Sequence, residues 1–349
     1  MEATHDYLTQ ESPIEDTLLP SPRVFHADRT YRIPFTFVIP SRLLPHACQD
    51  RVIEQAHALH LQLPPSMNDT CTSNDSTGLD GFTPKMAKIS YSVKVRVARR
   101  EKEHGITIIA ETERCVHVRP EGEEHPPVFV GPDDKDYRLS QAKTIRKALI
   151  GGALGRLAID SYQPSPAFAG IQRNGGDNPK PSFATIHVRF DPARAGIQPP
   201  RLESLRVALK ATTFFSAKPW KHIPSLEQAP LNFNPRYFSK GLALGSQALG
   251  QIKWEKQVIG NDSSGASSLQ CSLEDFDPSY APLPTDVPPI HHYGGISYTT
   301  QFSVPIQIPT RSLVPTFHSC LVSRVYTLEL TLVTNTSTSL SLKVPLQII

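Results

Sequence analysis

Nothing in this sequence constrains its fold more than a period of two. In LVSRVYTLELTLV, Val322, Tyr326, Leu328, Leu330 and Leu332 fall on one face together with Arg324. In LSLKVPLQI, Leu340, Leu342, Val344, Leu346 and Ile348 do the same, and in YTTQFSVPIQIP the even positions Tyr298, Phe302, Val304, Ile306 and Ile308 are apolar. Successive side chains of a strand point to opposite faces, so half-buried strands read this way. Three such stretches joined by short turns predict an antiparallel sheet with one wet face. The 33 prolines among 349 residues agree, because proline breaks helices and is held to the loops and edges of sheets. The expectation is an all-β protein.

The alternation recurs near the N-terminus. In YRIPFTFVIP, Tyr31, Ile33, Phe35, Phe37 and Ile39 share a face, and in AKISYSVKVRVARR so do Ile89, Tyr91, Val93, Val95 and Val97. TIIAETERCVHVRP then supplies another strand pair or one long bent strand, and GRLAIDSY, ATIHVRFDP and LRVALKATTFF are shorter β patterns. Two stretches depart from it. Val52, Ile53, Ala56 and Leu59 line a short helix that ends before Pro64 and Pro65. Leu139, Ala142, Ile145 and Leu149 recur every three to four residues, with Ser140 as N-cap and Gly151 and Gly152 at the end, which predicts a connecting helix over 139–151. Residues 66–82 read as a polar loop, and residues 1–30 as an irregular or disordered segment. YRIPFTFVIPSRLLP is echoed by YTTQFSVPIQIPTRSLVP, each followed later by another strand. The echo suggests a duplicated sandwich, one copy over 31–138 and one over 152–349, the latter with a low-complexity insertion at 255–290.

Composition excludes several functions. A formal net charge of +3, with both signs interspersed, does not supply the basic face that nucleic acid demands. There is no G-x-S-x-G elbow, P-loop, H-E-x-x-H or G-x-G-x-x-G, so neither catalytic residues nor a cofactor site is assigned. The five cysteines (Cys48, Cys71, Cys115, Cys271, Cys320) lack metal-ligand spacing, and no metal is expected. Their odd number and the polar N-terminus point to a reduced, soluble, intracellular protein, in which the N-x-[ST] matches at Asn68, Asn74, Asn261 and Asn335 are ordinary loop sequence. No apolar run reaches the roughly 20 residues that span a bilayer. His291 and His292 would point to opposite faces of a strand, and Glu121, Glu123 and Glu124 sit in a solvated turn. His318 and Cys320 share a strand face, where packing explains them better than a catalytic pair. Two basic groups remain. Lys88, Lys94 and Arg96 are either an ordinary wet face or a stripe that attracts acidic or phosphorylated tails. Lys143, Arg146 and Lys147 either dock between the lobes or touch anionic lipid.

Several of these segments, taken in order, resemble the fungal arrestin-like trafficking adaptors, closest to the Bul-type members. They are YRIPFTFVIPSRLLPHAC, LPPSMND, KISYSVKVRV, RFDP with PPRLESLRVALKATTFFS, PTFHSCLVSRVYTLEL and LKVPLQI. The resemblance implies two tandem arrestin-like, immunoglobulin-type β-sandwich lobes, the N-terminal one incomplete because the family carries strands ahead of the segment at residue 31. It also implies a non-enzymatic adaptor in the cytoplasm, recruited to the plasma membrane or endosomes. Such an adaptor binds membrane transporter or receptor tails and brings in a WW-domain HECT ubiquitin ligase, with at most peripheral membrane contact. The family recruits its ligase through PPxY, and this sequence has only the near misses PPVF, PSY and PPIHHY.

Overall fold

The computed structural model describes residues 4–12, 14–22, 24–26, 28–48, 54–68, 81–101, 105–120, 122–147, 152–169, 181–227, 236–258, 295–308 and 313–349. These residues are nearly all β. The elements are α1 (Glu54–His60), β1 (Tyr91–Glu101), β2 (Gly105–Val116), β3 (Ser140–Arg146), β4 (Ala153–Ser161), β5 (Phe183–Pro192) and β6 (Leu202–Phe215). They continue through β7 (Arg236–Ala248), β8 (Glu255–Val258), β9 (Ile296–Pro305), β10 (Phe317–His318), β11 (Val322–Thr334) and β12 (Ser339–Leu346). No helix among the described residues is long and apolar enough to cross a membrane.

Ten of these strands form a sandwich of two five-stranded antiparallel sheets. One sheet has the order β3-β4-β5-β9-β8. In the other, β7 pairs β6 and β6 pairs β11, whose far edge is shared by β10 and β12. The chain crosses between sheets at β5–β6, at β7–β8 and at β9–β10, so β5 lies beside β9 in one layer while β6 lies beside β11 in the other. Alternation decides which residues meet. Leu157 and Ile159 of β4, Ile186, Val188 and Phe190 of β5, and Leu205 and Leu209 of β6 point inward. Tyr326, Leu328, Leu330 and Leu332 of β11 meet them, with Leu340, Leu342 and Val344 of β12, in one continuous core. The three C-terminal alternating stretches are therefore strands, but they do not form one sheet. β9 lies in the layer opposite β11 and β12.

Several expectations change. Residues 140–146 form β3, a strand, rather than a helix. They pair with β4 from Ser140↔Asp160 to Arg146↔Ala153. A short helix has few internal hydrogen bonds to repay its nucleation, whereas the ladder to β4 satisfies the backbone and buries Ile145. Residues 140–146 thus belong to the sandwich, and Lys143 reaches the carbonyl of Ser339 at 2.7 Å. The insertion over 255–290 begins with β8, paired to β9, before leaving the described residues.

YRIPFTFVIP forms no strand. Phe35 is 57% and Val38 75% exposed, and among the described residues no β-ladder runs beside it. Pro34 and Pro40 have no N–H to offer one. Among the described residues, the named strands of 31–138 are limited to the two-stranded β1–β2 hairpin, so a second sandwich is not seen there. Of the predicted helix, Ala56 is buried and Leu59 half-buried on α1, while Val52 and Ile53 lie outside the described residues.

Gly155 gives a local test of core packing. A Cβ there would lie 2.4 Å from the Asp191 carbonyl oxygen and 2.7 Å from the Phe190 ring. Gly155→Ala is expected to cost about 1–3 kcal/mol in urea unfolding, as overpacking does. Gly241→Ala on β7, where nothing lies within 4 Å, should stay within about 0.5 kcal/mol.

Candidate functional site

The β1–β2 hairpin carries Lys94 and Arg96, two of the basic residues singled out in the sequence. Its base is anchored by Tyr91, whose hydroxyl donates to the Pro64 carbonyl at 2.6 Å. From Lys94 to Arg99 and from Ile106 to Arg114 the side chains on both faces are exposed, Ile106 at 72%. Strands of 11 and 12 residues project about 35 Å, and among the described residues they pair only with each other. Among the described residues no further strand pairs with either edge of the hairpin.

Lys94 and Arg96 share a face of β1, directly opposite Glu113 and Glu111 of β2. Arg96 Nε lies 2.7 Å from Glu111, and Lys94 Nζ lies 3.1 Å from Glu111 and 3.7 Å from Glu113. The stripe is thus a four-residue lattice of alternating charge rather than a bare basic row. Lys88 is exposed but lies three residues before β1, outside this ladder. The sequence did not reveal the lattice because Glu111 and Glu113 become neighbours only when β2 folds back. Cys115, also on β2, is disulfide-bonded, which corrects the expectation of a fully reduced chain. Its partner lies outside the described residues.

A second cluster closes the seam between the N-terminal region and the β10–β11 corner. His60, at the end of α1, is 1% exposed, and its Nδ1 lies 3.5 Å from the thiol of Cys48. His318 of β10 is 8% exposed and pairs Nδ1 with Ser323 Oγ at 2.7 Å. The His125 ring lies 6.2 Å from that of His318 and contacts Gln62 Oε1 at 3.1 Å. Tyr7 enters the same seam, its hydroxyl 3.1 Å from Ser319 Oγ. Burial lowers the pKa of all three histidines, His60 to about 4 and His318 to about 3. Spacing alone suggested His318 with Cys320, but the thiol–imidazole pair the fold makes is Cys48 with His60. Both lie inside the seam, where a nucleophile has no access to substrate.

On the outer face of the first sheet, Ser140, Asp160, His187 and Gln301 follow one another across β3, β4, β5 and β9. Asp160 lies 3.2 Å from His187 Nδ1, but it stands between serine and histidine, so no serine–histidine–aspartate relay results. The shallow depression beside it, about 250 Å³, is lined by Ser140, Arg156 and Asp160. Among the described residues, no three His, Cys, Asp or Glu side chains converge as metal ligands. Glu123 pairs with Arg42 at 2.9 Å, while Glu121, His291 and His292 lie outside the described residues. No protein-family model matches this sequence, and no curated protein matches it.

The lattice makes a titration prediction. Glu111 is held below its ordinary value of 4.5, first by the hydrogen bond from Arg96 and then by that from Lys94. Its pairing is complete above that value and is lost as pH falls through the depressed one. Glu113 is lowered mainly by Ser92 and Lys94. Arg96→Gln should therefore raise the Glu111 midpoint towards 4.5 and leave Glu113 nearly unmoved, as read by carboxyl carbon NMR.

Proposed function

We propose that this chain is a non-catalytic, arrestin-like adaptor that links membrane transporter or receptor tails to ubiquitin-dependent endocytosis or sorting. The observation that carries the reading is the projecting β1–β2 hairpin. Its open edges suit an extended tail, which would add as a further strand. On one face that strand would meet Lys94 and Arg96, which favour acidic or phosphorylated residues. On the other it would meet Val95 and Val97, which favour apolar ones. Behind the hairpin, Tyr91 at its base packs against the cluster that includes Phe317 and Val322 of the sandwich. The order of the sequence words from residue 31 to the C-terminus supports the family assignment, and the cytoplasmic face of the plasma membrane or endosomes is the matching location.

A second reading, an arrestin-fold scaffold that recruits no ligase, is favoured by the missing PPxY. Phe129 stands where PPVF would need tyrosine, and its side chain is exposed. Pull-down with WW-domain protein separates the two, since capture, direct or bridged, supports the adaptor and none supports the scaffold. Independently, reversing Lys88, Lys94 and Arg96 to glutamate should weaken binding of an acidic cargo-tail peptide at least tenfold by fluorescence anisotropy. Unchanged affinity would remove the hairpin from the recognition surface.

A further inference from the structure

His60, His125 and His318 come from three separate segments, and the hairpin function proposed above uses none of them. They meet where α1 and the 122–130 loop close against β10. We propose that this histidine seam is an acid-opened latch, which releases the Tyr7 segment, the Cys48 turn and α1 from the β10–β11 corner while the sandwich stays folded.

The geometry carries the argument. His60 Nε2 is buried and has no hydrogen-bond partner among the described residues, so a proton placed there finds no acceptor. The groups facing it are ill suited to stabilise that charge. They are the Cys48 thiol from the preceding turn, His57 on the same helix, and His318 from β10, which itself faces His125. Tyr7 and Cys320 add only a neutral hydroxyl and a thiol to the corner. Glu123, the carboxylate that favours a charge on His125, is tied to Arg42 at the surface. A first protonation thus leaves a buried cation, and a second brings like charges together.

The direction follows from the depressed pKa values. Released histidines bind protons below about 6.5, whereas His60 in place does so only near 4 and His318 near 3. The latch is at full strength above 6.5 and weakens as pH falls below it. At pH 5 the difference for His60 alone shifts the open-to-closed ratio about 30-fold. The core strands carry mostly apolar inner faces, so they lack this sensitivity.

The seam contains its own reporters, because Cys48 and Cys320 are buried thiols outside any disulfide. Their labelling by 4,4′-dithiodipyridine in the full chain is read by peptide mass spectrometry and divided by the denatured chain's rate at the same pH. Between pH 7.5 and pH 5 it should rise about 30-fold or more, with β6 and β11 still protected from hydrogen exchange. His60→Gln and His318→Gln, which cannot take up the proton, should each reduce the rise. Should those variants misfold, nitrogen NMR of the wild-type histidines replaces them, with His60 and His318 titrating only as the thiols become reactive. The proposal is overturned if labelling does not rise, or if β6 and β11 lose protection at the same pH. It is equally overturned if folded variants keep the full rise, or if His60 and His318 titrate near 6.5 while the thiols stay closed.

Discussion

A charged side chain placed among leucines holds the two parts of this molecule together. Arg324 stands on the inward face of β11, in register with Tyr326 and Leu328, and is 0% exposed. Its guanidinium donates to Thr213 of β6 at 2.8 Å, to the Tyr326 hydroxyl at 3.2 Å, and to Thr83 Oγ1 and the Phe82 carbonyl at 2.7 and 3.2 Å. Residues 82–83 lead into the hairpin, so one fork of donors joins two core strands to the N-terminal region. A buried guanidinium that lost these acceptors would cost several kcal/mol, roughly the scale on which buried charges destabilise. Residues 82–83 are therefore fixed against the sandwich, and the base of the hairpin with them.

That junction also explains which parts of the fold were legible. Strands buried on one face must alternate, and β4, β5, β6, β11 and β12 do so almost without error. β7 was missed because RYFSKGLALGSQA lies at a sheet edge with most residues exposed, so nothing forces it to alternate. β3 was read as a helix for a related reason. Only Ile145 is deeply buried, and Leu139, Ala142 and Ile145, spaced by three, match a helix turn although the regular ladder to β4 puts Ala142 on the face opposite Ile145. YRIPFTFVIP failed the other way. Its alternation is perfect, but a pattern specifies a strand only where another strand lies alongside, and among the described residues none does.

The candidate sites were legible to a lesser degree, because they are built from long-range pairs. Lys94 and Arg96 were visible as a row, but the glutamates that neutralise them depend on the hairpin register. Cys48 and His60 are twelve residues apart, and His125 meets His318 across almost two hundred residues. Sequence spacing cannot express such meetings. The faint signal was compositional, since His57, His60, His125 and His318 each sit in otherwise apolar or proline-rich surroundings where a solvated residue is not required.

The hairpin's charge lattice bears on a second problem, how open edges persist without self-association. Unpaired strand edges invite copies of the same chain. If β1 paired antiparallel with β1 of another copy, Lys94 and Arg96 would face their own like charges. Pairing β2 with β2 would oppose Glu111 and Glu113 to themselves, and cross-strand like charges destabilise a ladder. The register shift between Val97 and Ala98 further twists the ribbon away from flat pairing. Each edge is thus repelled by itself and attracted by a strand of opposite sign. A projecting hairpin of this kind is protected against its own copies by the same charges that would select a partner.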